Sequence, residues 1–160
     1  MIKQAIFMLG EEKYGMDIMD INIIEKAITV EPNAVLTGNF KGIINLRDEK
    51  IPVYSLRRRI GLEDIAYDED TRFILSSLDG LTVAYEVDRV VEIVQLEENK
   101  LLAVPEISIG KGNQFMKNVI NYNGDLIIIL DPDKILTEQE QAAVEKVIKD
   151  KIKTEDSKNN

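Results

Sequence analysis

Apolar positions in this chain fall in short blocks of about four to eight residues, rich in Ile, Val, Leu, Phe and Tyr and bounded by Gly, Asn, Asp or Pro. That punctuation predicts strands joined by turns. Gln4 to Leu9 and Tyr14 to Ile18 flank Gly10-Glu11-Glu12-Lys13 as a tight hairpin. Asp17 to Val30 is longer, and its isoleucines favour strand, with room for one helical turn over Asp17 to Asp20. Glu31 to Phe40 reads as loop. Gly42 to Arg47 and Ile51 to Leu56 form matched strands joined by Asp48-Glu49-Lys50, with Pro52 confined to an edge, a strand start or a bulge. Arg57 to Gly61 turns the chain, and Glu63 to Asp70 is an acidic surface loop. Arg72 to Leu78 and Leu81 to Val87 flank Asp79-Gly80, a two-residue hairpin signal. Val90 to Leu96 is a further strand, Glu97 to Gly112 is irregular, and Asn123-Gly124 joins Phe115–Tyr122 to Leu126–Leu130 in a second such hairpin.

The period changes once. Thr137-Glu138-Gln139-Glu140 is a capping box, and Val144, Val147, Ile148 and Ile152 share the face of a helix expected to end near Lys151. The expected organisation is a β domain over 1–136, an amphipathic helix over 137–152 and a polar, frayed tail over 153–160. Many short strands closed by one helix indicate an all-β barrel or sandwich, and the strand number exceeds one small barrel, which makes two small barrels in one chain a plausible plan.

Composition narrows the chemistry. The 160 residues contain no Cys and no His, which removes thiol nucleophiles, disulfides, imidazole bases and most zinc sites. A net charge of −9 disfavours nucleic acid and anionic membrane as partners. The basic cluster Arg57-Arg58-Arg59 reads as a solvated turn after a strand. No apolar run approaches the roughly 20 residues of a membrane helix, and the opening residues lack a secretory pattern, so a cytoplasmic protein is expected.

Candidate catalytic motifs fail on their own terms. Gly110-Lys111-Gly112 lacks the longer glycine loop and the Ser or Thr of a phosphate loop. Asp131-Pro132-Asp133 is followed by Ile135 and Leu136 where calcium ligands would stand. Asn121, Asn123 and Asp125 read as hairpin chemistry, and Asp68 and Asp70 sit in a polar loop that would not raise a carboxyl pKa. The residues point to no catalytic site, metal or cofactor.

Phe40-Lys-Gly-Ile-Ile-Asn-Leu-Arg47, followed by Ile51-Pro-Val-Tyr-Ser-Leu56, resembles the signature of the CheW family. Phe7-Met-Leu-Gly-Glu-Glu-Lys-Tyr-Gly-Met-Asp-Ile18, Val87-Asp88-Arg89-Val90 and Leu126-Ile-Ile-Ile-Leu-Asp131 match in order, so the resemblance spans about Gln4 to Leu136. It implies two intertwined five-stranded barrels of the Src-homology-3-like type. It also implies a non-catalytic adaptor, monomeric when free, with two partners. One is the regulatory domain of a CheA-type histidine kinase, docked barrel to barrel. The other is the cytoplasmic tip of a chemoreceptor, laid in an apolar groove.

Carried over by position, Gly42 and Asp48 would lie on the kinase side, and Ile21, Ile23, Arg47 and Val87 at or beside the receptor groove. Ile21 and Val87 read equally well as core, and Asn45 as a hydrogen-bonding turn residue. The family's usual Gly after the Arg is Asp48 here, and its common Asp before Leu56 is Ser55. The family's Glu near the end of the Asp17 to Ile24 segment aligns with Ile23, while Glu25, two residues on, shares its strand face and is the candidate partner for the Arg47 guanidinium. The rivals are a divergent barrel of this kind acting as a sensor, with a small ligand in the inter-barrel groove, or as adaptor for a non-chemotaxis kinase pathway, and an enzyme working through a buried, partnered carboxylate.

Overall fold

Strand β1 (Ile2–Leu9) shows why the apolar runs are continuous instead of alternating: it is buried on both faces. Ile6 enters one apolar interior, while Phe7 and Leu9 enter another. Ile74 of β6 (Arg72–Leu78) and its neighbours Phe73 and Leu75 divide in the same way between a shared core and a local one. Side chains alternate across a strand, so a strand packed on both sides must be apolar throughout.

In the computed structural model, which describes residues 1–103 and 114–158, eleven strands form two sheets. The first sheet contains β1, β2 (Glu12–Asp17), β8 (Arg89–Leu96), β9 (Leu102–Ala103), β10 (Met116–Tyr122) and β11 (Asp125–Leu130), in the order β8-β1-β2-β11-β10-β9. The second contains β3 (Ile23–Lys26), β4 (Phe40–Leu46), β5 (Glu49–Ser55), β6 and β7 (Leu81–Val87), in the order β3-β6-β7-β5-β4. The chain thus leaves the first sheet after β2, builds the whole of the second and returns at β8. The lobes are intertwined, as the double-barrel expectation requires, with the short β9 added to the first. Most ladders are antiparallel, but β11 joins β2 and β7 joins β5 in parallel, at Ile128 opposite Tyr14 and Tyr54 opposite Tyr85.

Each sheet curls round its own interior. Ile6, Val94, Leu96, Ile120, Ile127 and Ile129 fill the first, and Ile44, Ile51, Val53, Phe73, Leu75 and Ala84 fill the second. Between them lies the third core, where Phe7, Tyr14, Tyr54 and Tyr85 meet Val144 of the terminal helix. At about 25 cal/mol per Å² of apolar surface, this shared layer holds the two lobes together without a disulfide.

The predicted turns at Asp79-Gly80 and Asn123-Gly124 are present with positive φ at all four residues. Several boundaries differ, and the first hairpin turns at Gly10-Glu11 because Glu12 and Lys13 already pair with Leu9 and Met8. The β4–β5 hairpin turns at Arg47-Asp48 (φ 50° and 66°), not at Asp48-Glu49-Lys50, because β4 and β5 stay paired out to Leu46 and Glu49. The Asp17 to Val30 segment makes a single helical turn at Ile18–Asp20, capped by the Asp17 carboxylate on the Met19 N–H, and only Ile23–Lys26 is strand. A four-residue α1 (Leu56–Arg59) starts at Ser55, whose hydroxyl accepts from the Arg58 N–H at 3.1 Å. The terminal helix α2 (Glu138–Lys158) continues past the expected end at Lys151, for neither Gly nor Pro occurs in that stretch. The Gly110-Lys111-Gly112 reading lies outside the described residues.

Candidate functional site

Strand β4 carries the predicted contact residue Gly42 and leads into the turn that holds two more, Arg47 and Asp48, and its shape is set by that one glycine. Gly42 is buried at φ 144°, beside a bulge at Lys41, and an added Cβ would stand 2.0 Å from the Glu31 carbonyl oxygen. The reason is a two-way backbone link, Glu31 N–H to Ile43 O and Ile43 N–H to Glu31 O, each 2.8 Å, that pins the 31–40 loop to the strand edge. Gly42 therefore shapes the surface from below; a side chain there would open the sheet before touching any partner.

At the other end of β4 the hairpin tip gathers three predicted residues. Arg47 and Asp48 form the turn, and an Arg47 Nη2 lies 3.5 Å from Glu25 Oε1. The guanidinium is 76% exposed, so the pair adds little to stability and leaves the charge accessible. Asn45 is exposed on the same hairpin. Ile23 is half-buried against the second interior, opposite Leu75, and Ile21 is half-buried against the shared core. Val87 is 1% exposed within that core, where it can influence a groove only through packing. The tip thus brings Arg47, Asp48 and Glu25 together, with Gly42 farther along the strand and Val87 inside.

The Arg57-Arg58-Arg59 cluster is not a solvated turn; each guanidinium is committed. Arg57 donates to Asp88 at 2.6 Å and to the Glu63 carbonyl at 2.7 Å, while the same Asp88 oxygen accepts from the Gly10 N–H. Arg58 meets Asp64 with two nitrogens, at 2.9 and 2.7 Å, and reaches the carbonyls of Gly38 and Phe40. That pairing holds the Asp64 carboxyl below its ordinary range and raises Arg58. Arg59 donates to the Ile135 carbonyl and lies 4.3 Å from the Phe115 ring centroid. Several partners are remote in sequence, and local charge counting could not have shown them. The cluster ties α1 to the acidic loop, to both lobes and to the approach of α2.

Among the described residues one carboxylate is buried. Glu86 is 3% exposed, 2.7 Å from Lys41 Nζ across β5, and its second oxygen accepts from the Tyr67 hydroxyl. Burial first, then the Glu86 contact, pushes the Tyr67 phenol well above its usual range. Lys41 also lies over the Tyr67 ring at 4.8 Å. Both oxygens of Glu86 are occupied by structural partners, so the partnered carboxylate that the enzyme rival requires exists but is committed to holding the 61–70 loop. Among the described residues no group of three or more Asp or Glu is placed to hold a metal ion, and no helix is long and apolar enough to cross a membrane.

The family model described as CheW-like domain matches residues 4–140, most of the chain. The chain belongs to the CheW-like family. Among its relatives, a chemotaxis protein CheW from Thermotoga maritima is 30% identical over 135 residues, covering 82% of this chain and 85% of the relative. A chemotaxis protein CheW from Klebsiella aerogenes is 28% identical over 144 residues, covering 90% and 87%. The crystal structure of the scaffolding protein TtCheW from Thermoanaerobacter tengcongensis superposes with a TM-score of 0.79 at 27% identity, covering 87% of this chain and 90% of that one. Chemotaxis scaffolding is accordingly the functional class of this CheW-like chain.

Two departures from the family signature follow the local chemistry. The position after Arg47 has φ 66°, which explains a usual Gly; Asp48 is among the few side chains that tolerate it. Ser55 replaces an Asp as the N-cap of α1, and both residue types cap through a side-chain oxygen. CheW-like architecture is kept at both positions, while Asp48 adds a charge on the surface and Ser55 removes one from a buried cap.

Proposed function

We propose that the protein is a non-catalytic, cytoplasmic adaptor that couples methyl-accepting chemoreceptors to a CheA-type histidine kinase. The observation that carries this reading is the match over residues 4–140 to the CheW-like family, together with the likeness to a solved scaffolding protein of the same double-lobed fold. The kinase regulatory domain docks on the surface shaped by Gly42 and reached by Asp48. The receptor tip docks beside the hairpin, where the exposed Arg47 guanidinium, backed by Glu25, pairs with a carboxylate or carbonyl of the receptor helix. Ile23 and Ile21 offer apolar area at the rim of that groove, and Val87 sets its floor from within.

Rigidity supports an adaptor role. The committed arginines and the shared core hold the two faces at a fixed separation, which is what an element joining two partners requires. Titration calorimetry against the kinase regulatory domain and a receptor-tip fragment tests the reading. Asp48→Lys should weaken kinase binding alone, whereas Arg47→Ala and Glu25→Ala should weaken receptor binding alone. Unchanged receptor affinity in both of the latter variants would remove the assigned role of the Arg47–Glu25 pair.

A further inference from the structure

Gln4 is a polar residue inside the first lobe, on the same face of β1 as Ile6. It is 1% exposed, and its Oε1 has no hydrogen-bond partner among the described residues. Buried acceptors are nearly always paired, so one left open asks for a donor. Gly15 keeps the space beside it clear, because an added Cβ there would lie 3.3 Å from that oxygen and 2.9 Å from Ile129 Cδ1.

Gln4 lines a cavity of about 280 Å³ at the mouth of this lobe. Its apolar walls come from Ile2, Leu101 and Ile129, and its rim carries Asp17, Asp20, Glu98 and Asp131 against a single lining cation, Lys117. Two of the rim carboxylates are fixed by backbone turns: Asp17 Oδ1 accepts from the Met19 N–H at 2.9 Å, and Asp131 Oδ1 from the Asp133 N–H at 3.1 Å. The surplus negative charge is felt at Asp20, whose carboxyl is raised by desolvation and then by repulsion from Asp17, Asp133 and Asp131, with Lys117 opposing. Among the described residues no metal-ligating cluster is present, and one part of the wall is hydrocarbon, from Ile2, Leu101, Ile129 and Leu130. The matching guest is organic and cationic.

We propose that the mouth of the first lobe binds a small alkylammonium compound, with its N–H donors meeting the rim carboxylates and Gln4 Oε1 and its hydrocarbon stem lying against Ile2, Leu101 and Ile129. The site is on the first lobe, whereas Arg47, Asp48 and Glu25 project from the second, so it does not depend on the adaptor reading.

The test is an amide NMR titration of the full chain with n-butylammonium chloride, using 1-butanol and calcium chloride as controls. Butylammonium should give saturable shifts at the Gln4 and Asn118 side-chain amides and at Gly15, while neither control does so. Asp20→Asn, an exposed and fold-neutral change, should weaken binding about threefold to tenfold, and Lys117→Gln should tighten it. No saturable shift in the wild type overturns the site, and an equal response to 1-butanol overturns its cation selectivity. Saturation by calcium that Asp20→Asn abolishes would make it a metal site instead.

Discussion

Removing Lys41 should cost far more than removing an ordinary surface lysine. Lys41 Nζ lies 2.7 Å from Glu86, with side-chain exposures of 12% and 4%, and the Glu86 carboxylate keeps only the Tyr67 hydroxyl once the lysine is gone. Breaking a buried pair from one side leaves an uncompensated charge, typically costing 3–5 kcal/mol; the partial exposure of Lys41 places Lys41→Met near the low end, about 3 kcal/mol. For a chain of this length that is a fall in Tm of about 6 to 12 °C. Lys41→Met/Glu86→Leu removes both charges and should recover most of the loss, giving a coupling of about 2 kcal/mol in a double-mutant cycle. Urea unfolding of the wild type, both single variants and the double variant measures it, with unchanged m-values as the condition for comparison. A Lys41→Met cost below about 1 kcal/mol, or additive singles, would refute the claim that this pair anchors the acidic loop.

Three further outcomes follow from the packing. Gly42→Ala, forced against the Glu31 carbonyl, should lose about 4 kcal/mol or more or fail to fold, read by thermal unfolding; a near-native Tm would contradict the close approach. Glu140→Ala removes the acceptor for the Thr137 N–H, the Tyr54 hydroxyl and the Asn39 amide, and should cost about 1–2 kcal/mol while lowering helical circular dichroism and leaving the sheets intact. Tyr14, Tyr54, Tyr67 and Tyr85 all have raised phenol pKa values, chiefly through burial. Their stabilising contribution is complete below the unfolded value of about 10 and is lost as pH climbs beyond it, so Tm should fall steeply above that pH; a flat profile to pH 12 would contradict their burial.

The fold was legible wherever a local signal existed. Asn123-Gly124 and Asp79-Gly80 supply the positive φ their turns need, and Thr137 with Glu140 closes a capping box at 3.0 and 3.1 Å. The Arg47-Asp48 turn was misplaced because neither residue is a glycine, so nothing local marks its positive φ. The strand count suggests two small barrels, but the parallel pairings of β2 with β11 and β5 with β7 leave no trace in periodicity, and only the resemblance implies that the two are intertwined. The site divides along the same line. The resemblance implies a Glu partner for Arg47 at the position of Ile23, strand periodicity passes that role to Glu25, and the structure places Glu25 and Arg47 3.5 Å apart. The commitments of Arg57, Arg58 and Arg59, and the burial of Glu86 with Lys41 and Tyr67, depend on contacts between distant segments that composition cannot register.

The proposed coupling of a kinase to a receptor is tested most directly by calorimetric titration of the full chain with the regulatory domain of its own organism's CheA-type kinase. One-to-one binding at micromolar affinity or tighter, weakened by Asp48→Lys and unaffected by Arg47→Ala, is the predicted result. Absence of binding at high micromolar concentration of a folded chain would contradict it.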